Sequence, residues 1–268
     1  MLCILIIQIL VKRNSILTNN LYLLIQAHRH NIHEKVNRHE MRTILLIHGA
    51  LGSKEDLHPL LSNLQHNFTV YSINLYGHNG VPVDQDFSIE GFAQQVLDWM
   101  TEMSLETISI AGYSLGGYIA LYLAHTFPEK IEKIVTLGTK LYWDRSVAEK
   151  EAGKLNPEVI QDRFPEYAAQ LIAKHTAENW KTVLAKTAGL FLHIGQFNPL
   201  GFDTFSNITC PVLLIVGDRD KSVTFVETTT VFKELPQAQL AVLPQTRHAF
   251  CEVDMVLLSY LITSFINL

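Results

Sequence analysis

The sequence predicts an α/β fold: a mostly parallel central sheet with helices on both faces and an inserted helical segment. Three observations carry that prediction. From residue 42 onward, short β-branched runs flanked by Gly or Pro alternate with stretches that carry helix signals. Strands alternating with helices imply parallel pairing, because each crossover lays a helix on a sheet face. Residues 140–205 break the alternation, with helix signals and no buried strand between them. The composition of the 268 residues, 48% hydrophobic and 18% charged, supplies ample core material and does not resemble a disordered chain.

Residues 1–11, MLCILIIQILV, form an apolar run closed by Lys12 and Arg13. The run is well short of the ~20 residues of a membrane-spanning helix. It lacks the charged leader and small-residue cleavage site of a signal peptide. His28, His30, His33 and His39 fall in a polar stretch read as a solvated linker, because no Cys or tight ligand spacing accompanies them. Two readings of residues 1–40 stay open. They form a strand or buried segment at the sheet edge, or they are an extension outside the working protein and Met41 is the start.

The strands are expected at residues 43–48, 68–73, 107–113, 131–137, 212–217 and 239–243. Ser53 with Asp56 has the form of a capping box and opens a helix toward His66. Ser88 opens a second helix, amphipathic through Trp99. A third follows Ser114 and stops before Pro128, and a fourth runs from Thr224 to a stop before Pro236. Within 140–205, two or three helices are expected, one of them starting at Asn156-Pro157-Glu158 with Asn as cap and Pro in the first turn. The core is thus expected at 41–139 and 206–268, with 140–205 inserted. Trp143 and Trp180, in that aromatic-rich insertion, are candidates for the wall of a substrate pocket.

Charge and cysteine content limit the function classes. Lys plus Arg is 21 and Asp plus Glu is 26, a net charge of −5, which is a poor basis for wrapping nucleic acid or an anionic membrane. Three scattered cysteines make neither a disulfide framework nor a zinc site, and a reducing cytoplasm is the default location. No phosphate-binding glycine loop is present, so no nucleotide is expected. Neither a metal nor another cofactor is expected.

The informative motif is Gly112-Tyr113-Ser114-Leu115-Gly116-Gly117, a G-x-S-x-G run entered from a strand and left by a helix. A sharp turn there lifts the Ser114 hydroxyl clear of the sheet, and glycines at 112 and 116 let neighbouring backbone crowd it. The helix N-terminus offers free N–H groups beside the hydroxyl.

With this motif, the chain from about residue 42 to its end resembles the α/β-hydrolase fold family, in a short, cap-bearing, esterase-like branch. His48-Gly49-Ala50 resembles the family's oxyanion loop. Residues 74–80, NLYGHNG, resemble its D-x-x-G-H-G loop, with Asn74 in place of Asp and Asn79 inserted. Gly217-Asp218-Arg219-Asp220-Lys221-Ser222-Val223 resembles the loop carrying the acid, which the match places at Asp220; Asp218 is the rival. His248 stands where the family has its base, preceded by Arg247 where Gly is common.

The resemblance implies that Ser114 attacks an acyl carbon while His248 takes its proton and Asp220 orients the imidazole. Backbone N–H groups of Ala50 and Leu115 would hold the oxyanion. His48 and His78 are expected to be structural, and Cys251 an inert core thiol. The expected substrate is a small to medium apolar carboxylic ester rather than a charged one. The same residues also serve lyases, C–C hydrolases, perhydrolases and slow-turnover sensor proteins, and Ser at 114 argues against branches that use Asp there.

Overall fold

The computed structural model describes residues 41–82 and 84–268. The expectations for residues 1–40 lie outside the described residues. The elements run in the order β1 (Thr43–Ile47), a 3₁₀ turn (Lys54–Leu57), α1 (His58–Leu64), β2 (Thr69–Ile73), α2 (Ile89–Glu102), β3 (Ile108–Tyr113), α3 (Leu115–Thr126) and β4 (Ile131–Leu137). A helical insertion follows: α4 (Arg145–Gly153), α5 (Pro157–Arg163), α6 (Pro165–His175), α7 (Trp180–Gln196) and the single turn α8 (Phe202–Phe205). The chain then returns through β5 (Val212–Gly217), α9 (Phe225–Glu234), β6 (Ala238–Leu243) and α10 (Met255–Asn267).

The six strands form one sheet in the order β2-β1-β3-β4-β5-β6, parallel throughout. Strand alternation splits the core in two. Leu45 and Ile47 of β1 face a cluster with Phe92, Val96 and Ile119, whereas Ile44 and Leu46 face one with Leu60, Leu64, Leu258 and Ile262. Helices α2 and α3 therefore cover one face, and α1 and α10 the other. The chain leaves β1 for β2 on one side and returns to β3 on the other. That reversal opens a crevice at the carboxyl ends of β1 and β3, where open α/β sheets bind ligands.

The helix starts follow from their caps. Ser88 Oγ accepts from Gly91 N at 3.0 Å, Asn156 Oδ1 from Val159 N at 2.9 Å, and Asp254 Oδ1 from Val256 and Leu257 N. The insertion holds five helices rather than two or three. Pro165 divides α5 from α6: the residue before a proline is driven out of helical geometry, and Phe164 sits at φ −135°, ψ 57°.

Two loops at the carboxyl edge are tied to each other by one buried histidine, His48, and to the insertion by another, His175. His48 Nδ1–H donates to the Gly49 carbonyl at 2.7 Å, and His48 Nε2 accepts from Leu75 N at 3.1 Å. His175, the last residue of α6, accepts from Asn79 N through Nδ1 at 3.2 Å and donates through Nε2 to the Leu51 carbonyl at 3.0 Å. His78 lies between them, its ring stacked on Phe87 and its centroid 5.0 Å from that of His48. The inserted Asn79 takes a left-handed conformation at φ 47° and bonds Glu55 through its side chain. Asn74 Oδ1 accepts from Lys54 N at 2.7 Å, a bond an aspartate would make equally.

Burial disfavours the charged form of these rings. It lowers His48 to about 4 and holds His78 well below its usual value; His175 is lowered for the same reason. A histidine whose pKa falls on folding leaves the unfolded chain with more bound protons between the two values, so stability is lost as pH drops through that window. Stability should fall from pH 6.5 toward pH 4, with His48 alone accounting for roughly 2 kcal/mol at pH 5. Urea unfolding across that range would measure the slope, which His48→Gln should flatten.

Glycine acts in two opposite ways in this fold. A Cβ on Gly116 would overlap the Ile47 carbonyl, where neither backbone can retreat, whereas one on Gly189 in α7 would meet nothing within 4 Å. Gly116→Ala should therefore destabilise by about 3 kcal/mol, while Gly189→Ala should stabilise by roughly 0.5–1 kcal/mol through helix propensity. Denaturant midpoints of the two variants should move in opposite directions.

Candidate active site

Ser114 joins β3 to α3 in a conformation that side chains rarely adopt, φ 51° and ψ −114°. Neighbouring backbone holds it there. Ser114 N donates to the Leu137 carbonyl at the end of β4 at 2.9 Å, and its own carbonyl accepts from Gly117 N and from Thr139 Oγ1, both at 3.1 Å. Leu115 opens α3, so its N–H has no acceptor within the helix. Ala50 lies in the turn after β1, closed by the Gly52 N–H to Gly49 carbonyl bond at 3.1 Å.

His248 and Asp220 come from two loops at the same sheet edge. His248 Nδ1 lies 2.8 Å from Asp220 Oδ2. The other carboxylate oxygen accepts from Ser222 N at 2.7 Å and Val223 N at 2.8 Å. Asp220 is nearly inaccessible, its side chain 2% exposed. Burial by itself would raise its pKa; the hydrogen bonds from His248, Val223 and Ser222 outweigh that and hold it below the usual carboxylate value.

Asp218, the rival acid, points to a different task. Its Oδ1 accepts from Thr246 N at 3.2 Å, which braces the loop leading to His248. The left-handed residue of that loop is Gln245 at φ 53°, so Arg247 does not occupy a position that needs glycine. Arg247 is exposed and pairs with Glu252.

Ser114, His248, Ala50 and Leu115 line one cavity of about 270 Å³. Trp143 lines it too, its ring beside that of Phe191 with centroids 5.1 Å apart. Trp180 does not. It is the first residue of α7 and is buried in the core. It precedes Phe191, which does line the cavity, by about 17 Å of helix rise. A wider, open groove of about 900 Å³ runs along α7 but contains none of the candidate residues.

Several wall residues carried no sequence signal. Lys140, Glu151 and Lys154 bring charge into a cavity expected to be apolar. Tyr113, the first variable residue of the G-x-S-x-G run, donates through its hydroxyl to the His248 carbonyl at 2.6 Å and so ties the serine turn to the histidine loop. Cys251, expected in the core, is exposed. It follows Phe250 in a one-turn helix that directs Phe250 inward and its neighbour out. Among the described residues, no group of three potential ligands could hold a metal, and no helix is long and apolar enough to cross a membrane.

The parallel sheet, the serine turn after β3 and the acid and histidine loops after β5 and β6 define a hydrolase architecture. Residues 42–189 match the model of the alpha/beta hydrolase fold family, and the chain belongs to that family. It is 28% identical over 217 residues to the serine hydrolase BPHL of Homo sapiens, covering 76% of this chain and 72% of that protein. Its identity to the (E)-2-((N-methylformamido)methylene)succinate hydrolase of Acinetobacter baylyi is 22% over 223 residues, 78% of this chain and 84% of the relative. Among solved structures, an enol-lactonase from Burkholderia xenovorans superposes with a TM-score of 0.71 at 16% identity, over 85% of this chain and 92% of its own, a likeness of fold.

The two tryptophans should behave differently when truncated. Trp143→Ala should shift relative kcat/KM among acyl esters of different chain length, by ~1–3 kcal/mol per methylene at most. Trp180→Ala should leave that preference in place and lower stability by roughly 3–5 kcal/mol. A chain-length series and an unfolding curve for each variant check this.

Proposed function

We propose that the protein is a serine hydrolase that cleaves a small carboxylic ester through an acyl-enzyme. The observation that carries the reading is the His248–Asp220 hydrogen bond on the cavity that Ser114 also lines. Asp220, kept ionised, accepts a hydrogen bond from His248 Nδ1–H, which leaves Nε2 with its lone pair as the base. Nε2 takes the Ser114 proton as the hydroxyl oxygen attacks the ester carbonyl carbon, and returns it to the departing alcohol. Asp220 stabilises the imidazolium formed in between. The Ala50 and Leu115 N–H groups receive the oxyanion, each worth roughly 3 kcal/mol in the transition state. Water, activated by the same imidazole, then releases the acid.

Residues 140–205 act in this reading as a cap that sets specificity. Trp143, Phe191 and Ile194 supply the apolar wall for the acyl chain.

Turnover of p-nitrophenyl acetate, together with fluorophosphonate labelling and peptide mapping, tests the assignment. Ser114→Ala should lower turnover by several orders of magnitude, ~10⁴ or more, with the fold retained. Asp220→Asn should lower kcat by roughly 10³–10⁴ through the wrong histidine tautomer, and Asp218→Asn by far less. Labelling on a residue other than Ser114 would reject the nucleophile, and equal losses at 218 and 220 would reject Asp220 as the orienting acid. Labelling of Ser114 without turnover of any acyl ester would point instead to a slow-turnover binding protein.

A further inference from the structure

Lys140 lies three residues past the end of β4, at the sheet edge that carries Ser114 and His248, and lines their cavity. Its side chain is only 18% exposed, and its ammonium reaches Glu227 Oε2 at 3.5 Å, the outer limit of a hydrogen bond. Glu227 is firmly anchored by other groups. Its Oε1 accepts from Leu141 N at 2.6 Å and Tyr142 N at 2.9 Å, and it sits in the first turn of α9, where the helix terminus favours negative charge. Those N–H groups anchor Glu227 without neutralising it, and the long 3.5 Å pairing leaves Lys140, whose ammonium offers three donors, with hydrogen-bonding capacity for a ligand.

The neighbouring lysine differs. Lys154 is about half exposed and is held by Glu151 at 2.6 Å, so that pair presents no net charge to the cavity. Of the three charged side chains on the wall, Lys140 is the cation whose partner, Glu227, does not itself line the cavity. Trp143, which lines the same cavity, is tied to this residue by its Nε1–H, which donates to the Lys140 carbonyl at 3.1 Å. A mostly buried cation with unused donors, on a cavity that Ser114, Trp143 and Phe191 also line, matches a ligand with a short apolar chain ending in an anion. The cavity volume equals about nine waters, which confines such a ligand to a few carbons.

We propose that Lys140 is the substrate-positioning residue of this site and that the substrate is a small ester whose acyl chain carries a free carboxylate. The inference rests on the serine-hydrolase reading and adds its substrate class. It replaces the expectation of an uncharged substrate, which came from the aromatic content of residues 140–205 and not from the wall itself.

Monoethyl glutarate and ethyl pentanoate, matched in chain length, separate the possibilities when hydrolysis is followed by pH-stat. The wild-type protein should favour the half-ester in kcat/KM by about tenfold or more. Lys140→Met should lower that ratio about tenfold, chiefly through KM for the half-ester; Lys140→Arg should restore most of it, and Lys154→Met should change it less. Preference for ethyl pentanoate, or a ratio that survives Lys140→Met, overturns the proposal while labelling of Ser114 keeps the hydrolase reading intact. If Ser114 takes no label and neither ester turns over, calorimetric titration with glutarate decides the subsite. Binding weakened about tenfold by Lys140→Met upholds it, and absence of wild-type binding overturns it.

Discussion

The contact on which the site depends is that of backbone with backbone around Ser114. Gly116, the second residue of α3, lies against the Ile47 carbonyl of β1, and Gly112 lies against the backbone of Gly116 and Gly117. Nothing larger than hydrogen fits at these points. The approach forces the chain to reverse within a single residue, and Ser114 takes the positive φ that results. Such a conformation costs on the order of 1–3 kcal/mol and persists only where its surroundings over-determine it. Here the surroundings are the buried strands β1, β3 and β4, with Ile44, Ile110, Ile134 and Leu137 all in the core.

From that contact the rest of the site takes its place. Bringing α3 close to β1 sets the turn that holds Ala50 beside the start of α3, and Gly49 packs against the Tyr113 ring. Tyr113 then reaches the other way, to the His248 carbonyl. Burial and the nearby Asp220 charge push the phenol's pKa up, so it stays a neutral donor. Three hydrogen bonds orient Asp220, and Asp218 braces the histidine loop. Serine turn and histidine loop are thus linked through side chains and not only through the sheet.

The insertion is bound to this frame by one buried and one partly exposed polar contact. His175 bridges the loops after β1 and β2, and Lys174 pairs with Asp56 at 2.5 Å. Neutral histidines serve here because each ring presents one donor and one acceptor, matched to one carbonyl and one N–H, as His48 and His175 are. Protonation would set an N–H against an N–H, which is why burial and hydrogen bonding together favour the neutral ring.

Much of this was legible in the amino-acid order, for local physical reasons. All six strands fall within one residue of where alternation and turn residues place them, because buried parallel strands must be short, apolar and bounded. Ser88, Asn156 and Thr224 mark helix starts through a bond made within three residues. Gly112, Ser114 and Gly116 announce their turn because only glycine tolerates the crowding.

The remainder depends on residues far apart in sequence, where no local pattern operates. Asp220 and Asp218 look alike until the fold places His248 beside one and Thr246 beside the other. Trp143 and Trp180 are equally aromatic, yet helix rise carries Trp180 away from the cavity and into the core. Lys140 carries no motif; its partner Glu227 lies 87 positions later and is itself anchored by two backbone N–H groups. The sequence by itself determined the sheet, the serine turn and the residue types of the site. The tertiary structure alone decided partners, burial and the charge of the cavity, because those depend on which distant groups share a low-dielectric space.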